Sequence, residues 1–224
     1  MSEMKQIFLI LMPLFLILLG CKKMEQTEKT KNMSNFIKVK SNIVVDTIKT
    51  DKFWTIIGHA VKESKGNDDL KEQILISELK KLSLVEIKNF EFAFRKCIID
   101  ADEFKIMAAM KIIEGYVSDD SYLYFRCWLI GQGKTIFQET LKNPDYLTNV
   151  VNQDKIHEFE GLMYVATKAY EIKSGKKEDE SFPRNEAGKI GLDYDFGAPP
   201  TKGVDWTEDE LPNLLPKLYS KYND

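Results

Sequence analysis

Residues 118–133 read Ser-Asp-Asp-Ser-Tyr-Leu-Tyr-Phe-Arg-Cys-Trp-Leu-Ile-Gly-Gln-Gly, and this stretch decides the fold class. A serine followed by acids opens a helix: Ser118 can accept from the first free amides, and Asp119 and Asp120 put negative charge where the macrodipole favours it. Tyr122, Phe125, Trp128 and Leu129 recur at helical steps and form one apolar side, while Gly131 and Gly133 end or bend the helix.

The same period extends outward in both directions. Upstream, Phe104, Met107, Ala108 and Ile112 predict a helix running to Gly115. Before it, Ser83-Leu84-Val85-Glu86 is a capping-box sequence, with Leu84, Ile87, Phe90, Phe94 and Cys97 as the stripe behind it. Leu70, Ile74, Leu75 and Leu79 predict a further helix opened by Asp68 and Asp69. Phe53, Trp54, Ile57, Ala60 and Val61 predict the first one, ending near Gly66. Downstream, a short helix over 135–141 stops at Asn143-Pro144-Asp145. A long last helix, capped by Asp154, carries Phe159, Leu162, Met163, Ala166 and Tyr170 and runs out at Ser174-Gly175.

Residues 175–224 differ in composition. They hold five of the twelve glycines and five of the seven prolines, yet keep Phe182, Tyr194, Phe196, Trp206 and Tyr219. That mixture predicts an irregular arm packed on the helices, with a short helix starting at Thr207-Glu208-Asp209-Glu210 and interrupted near Pro212 and Pro216. The fold class is therefore mostly α: a compact multi-helix bundle over 51–174 with the arm wrapped on it.

The N-terminus supplies an address. Residues 7–19, IFLILMPLFLILL, are uninterruptedly apolar. Thirteen residues span about 20 Å as a helix, short of a bilayer core of about 30 Å but right for the apolar region of a signal peptide. Leu18-Leu19-Gly20-Cys21 resembles a bacterial lipobox. That resemblance implies a leader over 1–20 and lipidation of Cys21, whose thiol is the nucleophile to be alkylated. Two or three acyl chains hold a protein stably on a membrane. Residues 22–35, KKMEQTEKTKNMSN, are almost without apolar content and read as a tether; 36–48 are β-branched and read as extended, so 21–50 form one linking segment. The expected location is the cell membrane or outer membrane, lipid-anchored and facing the periplasm or cell exterior.

Composition narrows the function. The 224 residues are 43% hydrophobic, 30% charged and 11% aromatic, with a net charge of −3. Such a chain is neither disordered nor polytopic, and its mild acidity argues against a nucleic-acid binder. Three cysteines cannot make a four-cysteine zinc site. Only three arginines are present, Arg95, Arg126 and Arg184, among many lysines; this fits an AT-rich genome, and no function follows from it.

Candidate chemistry is sparse. Asp119 and Asp120 could bind a cation or act in acid–base chemistry, but adjacent helical residues diverge by about 100°, and capping explains them more simply. A metal site would need further ligands such as Glu114 or Glu158. Arg126 follows Asp119 by two turns, on a similar face, and suits either an internal acid or an anionic ligand. His59 and His157 are the only histidines. His157 and Glu160 have a spacing compatible with one helix face and with metal binding, although a solvated face accounts for it too. Trp128, with Trp54 and Trp206, reads as a core anchor or as part of an aromatic ligand cluster. Cys97 and Cys127 fall on apolar faces, as a disulfide if their Cα atoms lie within about 7 Å, or as buried thiols, which their non-loop positions favour. There is no HExxH, P-loop or nucleophile elbow, and Gly131-Gln132-Gly133 reads as a turn. No cofactor is expected, and no metal site is assigned.

The run Phe53-Trp54, Ser118-Asp119-Asp120, Phe125-Arg126-Cys127-Trp128-Leu129-Ile130-Gly131-Gln132-Gly133 and Asn143-Pro144-Asp145 resembles the bacterial DUF4240 family. Glu158-Phe159-Glu160 with Tyr164-Val165-Ala166 resembles that family's last long helix, and Trp206–Leu211 with Pro216-Lys217-Leu218 its C-terminal element. The resemblance covers about 51–218; it implies a fold and boundaries but no activity, and the lipoprotein leader departs from the family's pattern.

Two functions from different classes follow, with a structural lipoprotein that has no discrete ligand as a third reading. The first is a lipid-anchored envelope binding or interaction module, immunity-type in its most concrete form, whose acidity suits a basic protein partner. The second is a metal-assisted envelope hydrolase using Asp119, Asp120, Glu158 and His157, which requires those side chains to converge on one cleft.

Overall fold

A computed structural model describes residues 50–195 and 197–223. The expected leader, Cys21, and the tether and extended segment through residue 49 lie outside the described residues. Among the described residues no helix is long and apolar enough to cross a membrane.

The chain is mostly α, as its period predicts. The first helices are α1 (Thr50–Ser64), α2 (Asp68–Lys80), α3 (Leu84–Asp100), α4 (Phe104–Glu114), α5 (Asp119–Ile130) and α6 (Lys134–Lys142). Their ends follow local side-chain chemistry. Asn67 accepts from the Leu70 amide to cap α2. Ser83 and Glu86 form the expected capping box on α3, with the Ser83 amide donating to Glu86 at 2.8 Å. Ser118 caps α5, and its box partner is Ser121. Gly115 closes α4 in the left-handed region at φ 78°, where a side chain would be strained.

α3 is the hub. It packs against α1, α5, α7 (Val165–Ser174) and α8 (Pro183–Lys189), while α2 bridges α1 and α7. Phe94 and Ile98 of α3, Ile106 and Met110 of α4, and Phe125 and Leu129 of α5 are fully buried. Each such side chain contributes about 1.5–3 kcal/mol over an exposed position, so this interior dominates the fold.

One expected element breaks up. Asp154 does not cap a long helix: 151–159 are irregular, a 3-10 turn covers Glu160–Met163, and α7 begins only at Val165. The apolar residues assigned to that helix are still buried. The cause is tertiary. The His157 amide donates to Glu114 at 3.1 Å and the Phe159 amide donates to the Tyr124 carbonyl at 3.2 Å, so donors that a helix would use are committed elsewhere. Gly161 also lies so close to the Glu72 side chain that a Cβ there would collide with it. His157 and Glu160 therefore do not share a helix face.

The C-terminal arm packs on the body as expected and carries more helix than the one expected: α8, a 3-10 turn at Glu208–Glu210, α9 (Leu211–Leu214) and α10 (Pro216–Asn223). The segment that starts at Thr207-Glu208 is interrupted near Pro212 and Pro216, and Pro183, Pro212 and Pro216 each stand in the first turn of the helix that follows, where a missing amide costs nothing. Lys202 pairs in register beside Glu103, accepting from the Phe104 amide at 2.9 Å, and the Trp206 indole donates to the Phe104 carbonyl at 2.7 Å.

Candidate functional site

The first turn of α5 opens onto a cleft of about 500 Å³. Asp119 and Asp120 lie on its rim and are exposed, while Arg126, two turns further along α5, lines its interior. Asp102 also lines the cleft, and the arm contributes Arg184 from α8 with Tyr194, Asp195 and Thr201.

Arg126 is only 6% exposed and is held rigidly. Its Nη1 donates to the Ile98 carbonyl at 3.2 Å and lies 3.6 Å from the Asp102 carboxylate; its Nε donates to the Tyr122 carbonyl at 3.4 Å. The guanidinium also sits 4.4 Å from the centre of the Tyr122 ring. Among the described residues its Nη2 has no acceptor. Arg184 is held more loosely, 5.9 Å from the Tyr164 ring, and makes no ion pair among the described residues. Asp119, Asp120 and Asp195 likewise accept no side-chain cation among them. Among the described residues Arg184, Asp119, Asp120 and Asp195 thus bring charges of both signs to the cleft without an ion pair.

The third arginine supports the same wall. Arg95 donates through Nε to the buried Glu91 at 2.7 Å and through Nη1 to the Leu192 carbonyl at 3.0 Å, with its guanidinium 4.6 Å from the Tyr194 ring. Burial pushes the Glu91 carboxyl up against the pull of Arg95. Burial, then the Glu91 carboxylate, pushes the Tyr194 phenol up to about 12, and burial also raises Tyr164 and Tyr124. At neutral pH these phenols stay protonated and present rings and neutral hydroxyls to the cleft.

The other sequence candidates lie elsewhere. His157 is buried; its Nδ1 is 2.7 Å from Glu114, and its Nε2 accepts from the Asn152 amide at 3.3 Å. A neutral ring protonated on Nδ1 satisfies both contacts. Glu158 accepts from the Tyr116 hydroxyl at 3.3 Å. Trp128 is a core residue, packed 5.3 Å from Phe125 and 4.7 Å from His157 between ring centres, and does not line the cleft. His157 and Glu158 do not line it either, so the four-residue constellation required for hydrolysis is not assembled there. Among the described residues no three His, Cys, Asp or Glu side chains gather into a metal-holding group. Cys97 and Cys127 are buried free thiols.

The family model for proteins of unknown function, DUF4240, matches residues 48–172, more than half of the chain. This chain belongs to the DUF4240 family. The matched segment contains Asp102, Asp119, Asp120 and Arg126, while Arg184, Tyr194 and the C-terminal element at Trp206–Leu218 lie beyond it. No curated protein and no solved structure matches the chain. In this DUF4240 chain the cleft is thus built jointly by the family domain and the arm that follows it. Sequence reading found Asp119, Asp120 and Arg126 and missed Arg184. The available signal was arginine scarcity: two of the three arginines line the cleft and the third braces its Tyr194 wall.

Proposed function

We infer that this DUF4240 protein is a lipid-anchored binding module of the bacterial envelope, with the cleft over α5 as its ligand site and an immunity-type role as its most concrete form. The leader over 1–20 is removed, and Cys21 carries the lipid. Support for the anchor comes from the short apolar run ending in Leu-Leu-Gly-Cys. The observation that carries the binding half is the cleft itself, where Arg184 faces the same space as Asp119 and Asp120 without an ion pair to them. Concave sites with a few convergent polar groups among rings are the usual form of a recognition site.

Metabolic labelling with an alkyne fatty acid tests the anchor. Label should enter the wild-type protein and be absent from Cys21→Ala; equal fractionation of both forms without label would overturn the anchor. A pull-down of the tagged, lipidated protein from crosslinked cells tests the binding role. A stoichiometric partner lost with the anchor supports an envelope module, and recovery of the protein alone counts against it.

A further inference from the structure

We propose that the end of the bundle where the chain enters α1 docks on an anionic phospholipid surface, with Lys80, Lys173, Lys176 and Lys177 meeting headgroup phosphates and Val85 and Ile172 entering the interface. This deepens the reading of a lipid-anchored module and rests on that reading for the membrane.

The start of α1, the turn between α2 and α3, and the end of α7 meet at this end. Lys52, in the first turn of α1, pairs with Glu86 in the first turn of α3 at 2.6 Å. Lys173, in the last turn of α7, donates to the carbonyl of Lys80, the last residue of α2, at 3.1 Å. Val85, beside Glu86, is 66% exposed, and Ile172, beside Lys173, is 59% exposed. Exposed apolar side chains among lysines suit an anionic interface, where buried apolar area and electrostatic attraction add.

The charge left over at this end is positive. Its acids are largely engaged: Asp51 pairs with Lys134 at 3.3 Å, Glu78 with Lys81 at 2.6 Å, and Glu86 with Lys52. Lys80, Lys173, Lys176 and Lys177 make no ion pair among the described residues, and Glu171 alone does not balance four lysines. The macrodipole accounts for Lys80 and Lys173, which stand in last turns. It does not account for Lys176 and Lys177, which lie beyond the end of α7 and are exposed. Glu178 acts on Glu91, two turns into α3, so the acidic run after Lys177 leads back along the body. Val204 gives the contrast. It is 85% exposed but lines a cavity with Glu103, Asp205 and Glu210, which an anionic surface would repel.

The course of the chain selects a membrane as the occupant. Residues 22–49 join Cys21 to α1 and hold seven lysines against three acids. The polypeptide from the anchor therefore enters the fold at its basic end. Those residues span at most about 100 Å, at roughly 3.3–3.6 Å each. A lipid on Cys21 thus keeps this face at a high effective concentration over the bilayer, and a weak surface attraction suffices to dock it.

Site-directed fluorescence tests the proposal on the lipidated full-length protein, incorporated into vesicles of phosphatidylcholine alone or mixed equally with phosphatidylglycerol. Ile172→Cys and Val204→Cys each offer one reactive thiol to an environment-sensitive dye, because Cys97 and Cys127 are buried. On the mixed vesicles the dye at Ile172→Cys should shift to the blue and be quenched by spin-labelled lipid. On phosphatidylcholine alone, and at Val204→Cys on both vesicles, it should report water. Lys176→Gln with Lys177→Gln should lower the ratio of docked to undocked protein about fivefold per lysine, and high salt should also lower it. Thermal unfolding checks that each variant folds. Water-like emission at Ile172→Cys on mixed vesicles, equal burial there on both vesicle types, or equal burial at Val204→Cys would overturn the proposal. So would a dye covered in whole cells but not on vesicles, which assigns the face to a protein partner. Fatty-acid labelling of Cys21 is read separately. A labelled anchor with water-like emission at Ile172→Cys overturns this face alone, and an unlabelled chain that still buries Ile172→Cys on mixed vesicles overturns the anchor alone.

Discussion

The buried carboxylate of Asp145 caps a helix far along the chain, accepting from the Leu218 amide at 2.8 Å and from the Lys217 amide at 3.2 Å. Asp145 is 7% exposed, so this contact ties the 3-10 turn Pro144–Asn149 to the start of α10. Lys221 reinforces it by donating to the Thr148 and Val151 carbonyls, each at 2.8 Å.

Asp145→Ala removes that cap and leaves two amides without their acceptor. The expected loss is about 2 kcal/mol in urea unfolding. Hydrogen exchange should show the loss concentrated in α10, with α3 protected as before. Uniform loss of protection would show that the arm and body unfold as one.

Arg95→Ala strands Glu91, which is 1% exposed, without its cation. Breaking a buried pair from one side costs roughly 3–5 kcal/mol, whereas replacing both partners with apolar groups of similar volume is often near neutral. Glu91→Leu with Arg95→Met should therefore be considerably more stable than Arg95→Ala alone. A double-mutant cycle in urea measures the difference, and equal destabilisation would show that the Leu192 carbonyl and the Tyr194 ring are the contacts that matter.

Glu86 predicts a dependence on pH. The hydrogen bond from Lys52 and those from the Ser83 amide and hydroxyl hold its carboxyl at about 2, below the ordinary 4.5. A lowered folded-state value means that the unfolded chain binds the proton more readily. The stabilisation is thus present above about 4.5 and disappears as pH falls toward 2. Glu86→Gln should lower the urea midpoint at neutral pH and converge with wild type near pH 2. A constant gap across that range would contradict the assignment.

Cys97 and Cys127 should be inert in the folded protein. Burial pushes both thiols well above their ordinary range, which suppresses the reactive thiolate. An aromatic disulfide reagent at pH 8 should find neither thiol in native protein and both once guanidinium is added. Rapid labelling of the native form would reveal local opening of α3 or α5.

What the sequence determined is what is local. The helices around Ser83 and Ser118 were legible because a cap and an apolar stripe act over three or four residues of one chain segment. Asp119 and Arg126 could be placed on one face for the same reason, since a helix fixes that relation without help from elsewhere. The tertiary structure alone decided the broken segment before α7, the joining of Arg184 and Tyr194 to the cleft, and the distant cap from Asp145. Each depends on backbone donors and acceptors brought together from remote parts of the chain: Glu114 with His157, Tyr124 with Phe159, Asp145 with Leu218. A buried amide must find a partner wherever the packed helices leave one, and local periodicity carries no record of that choice.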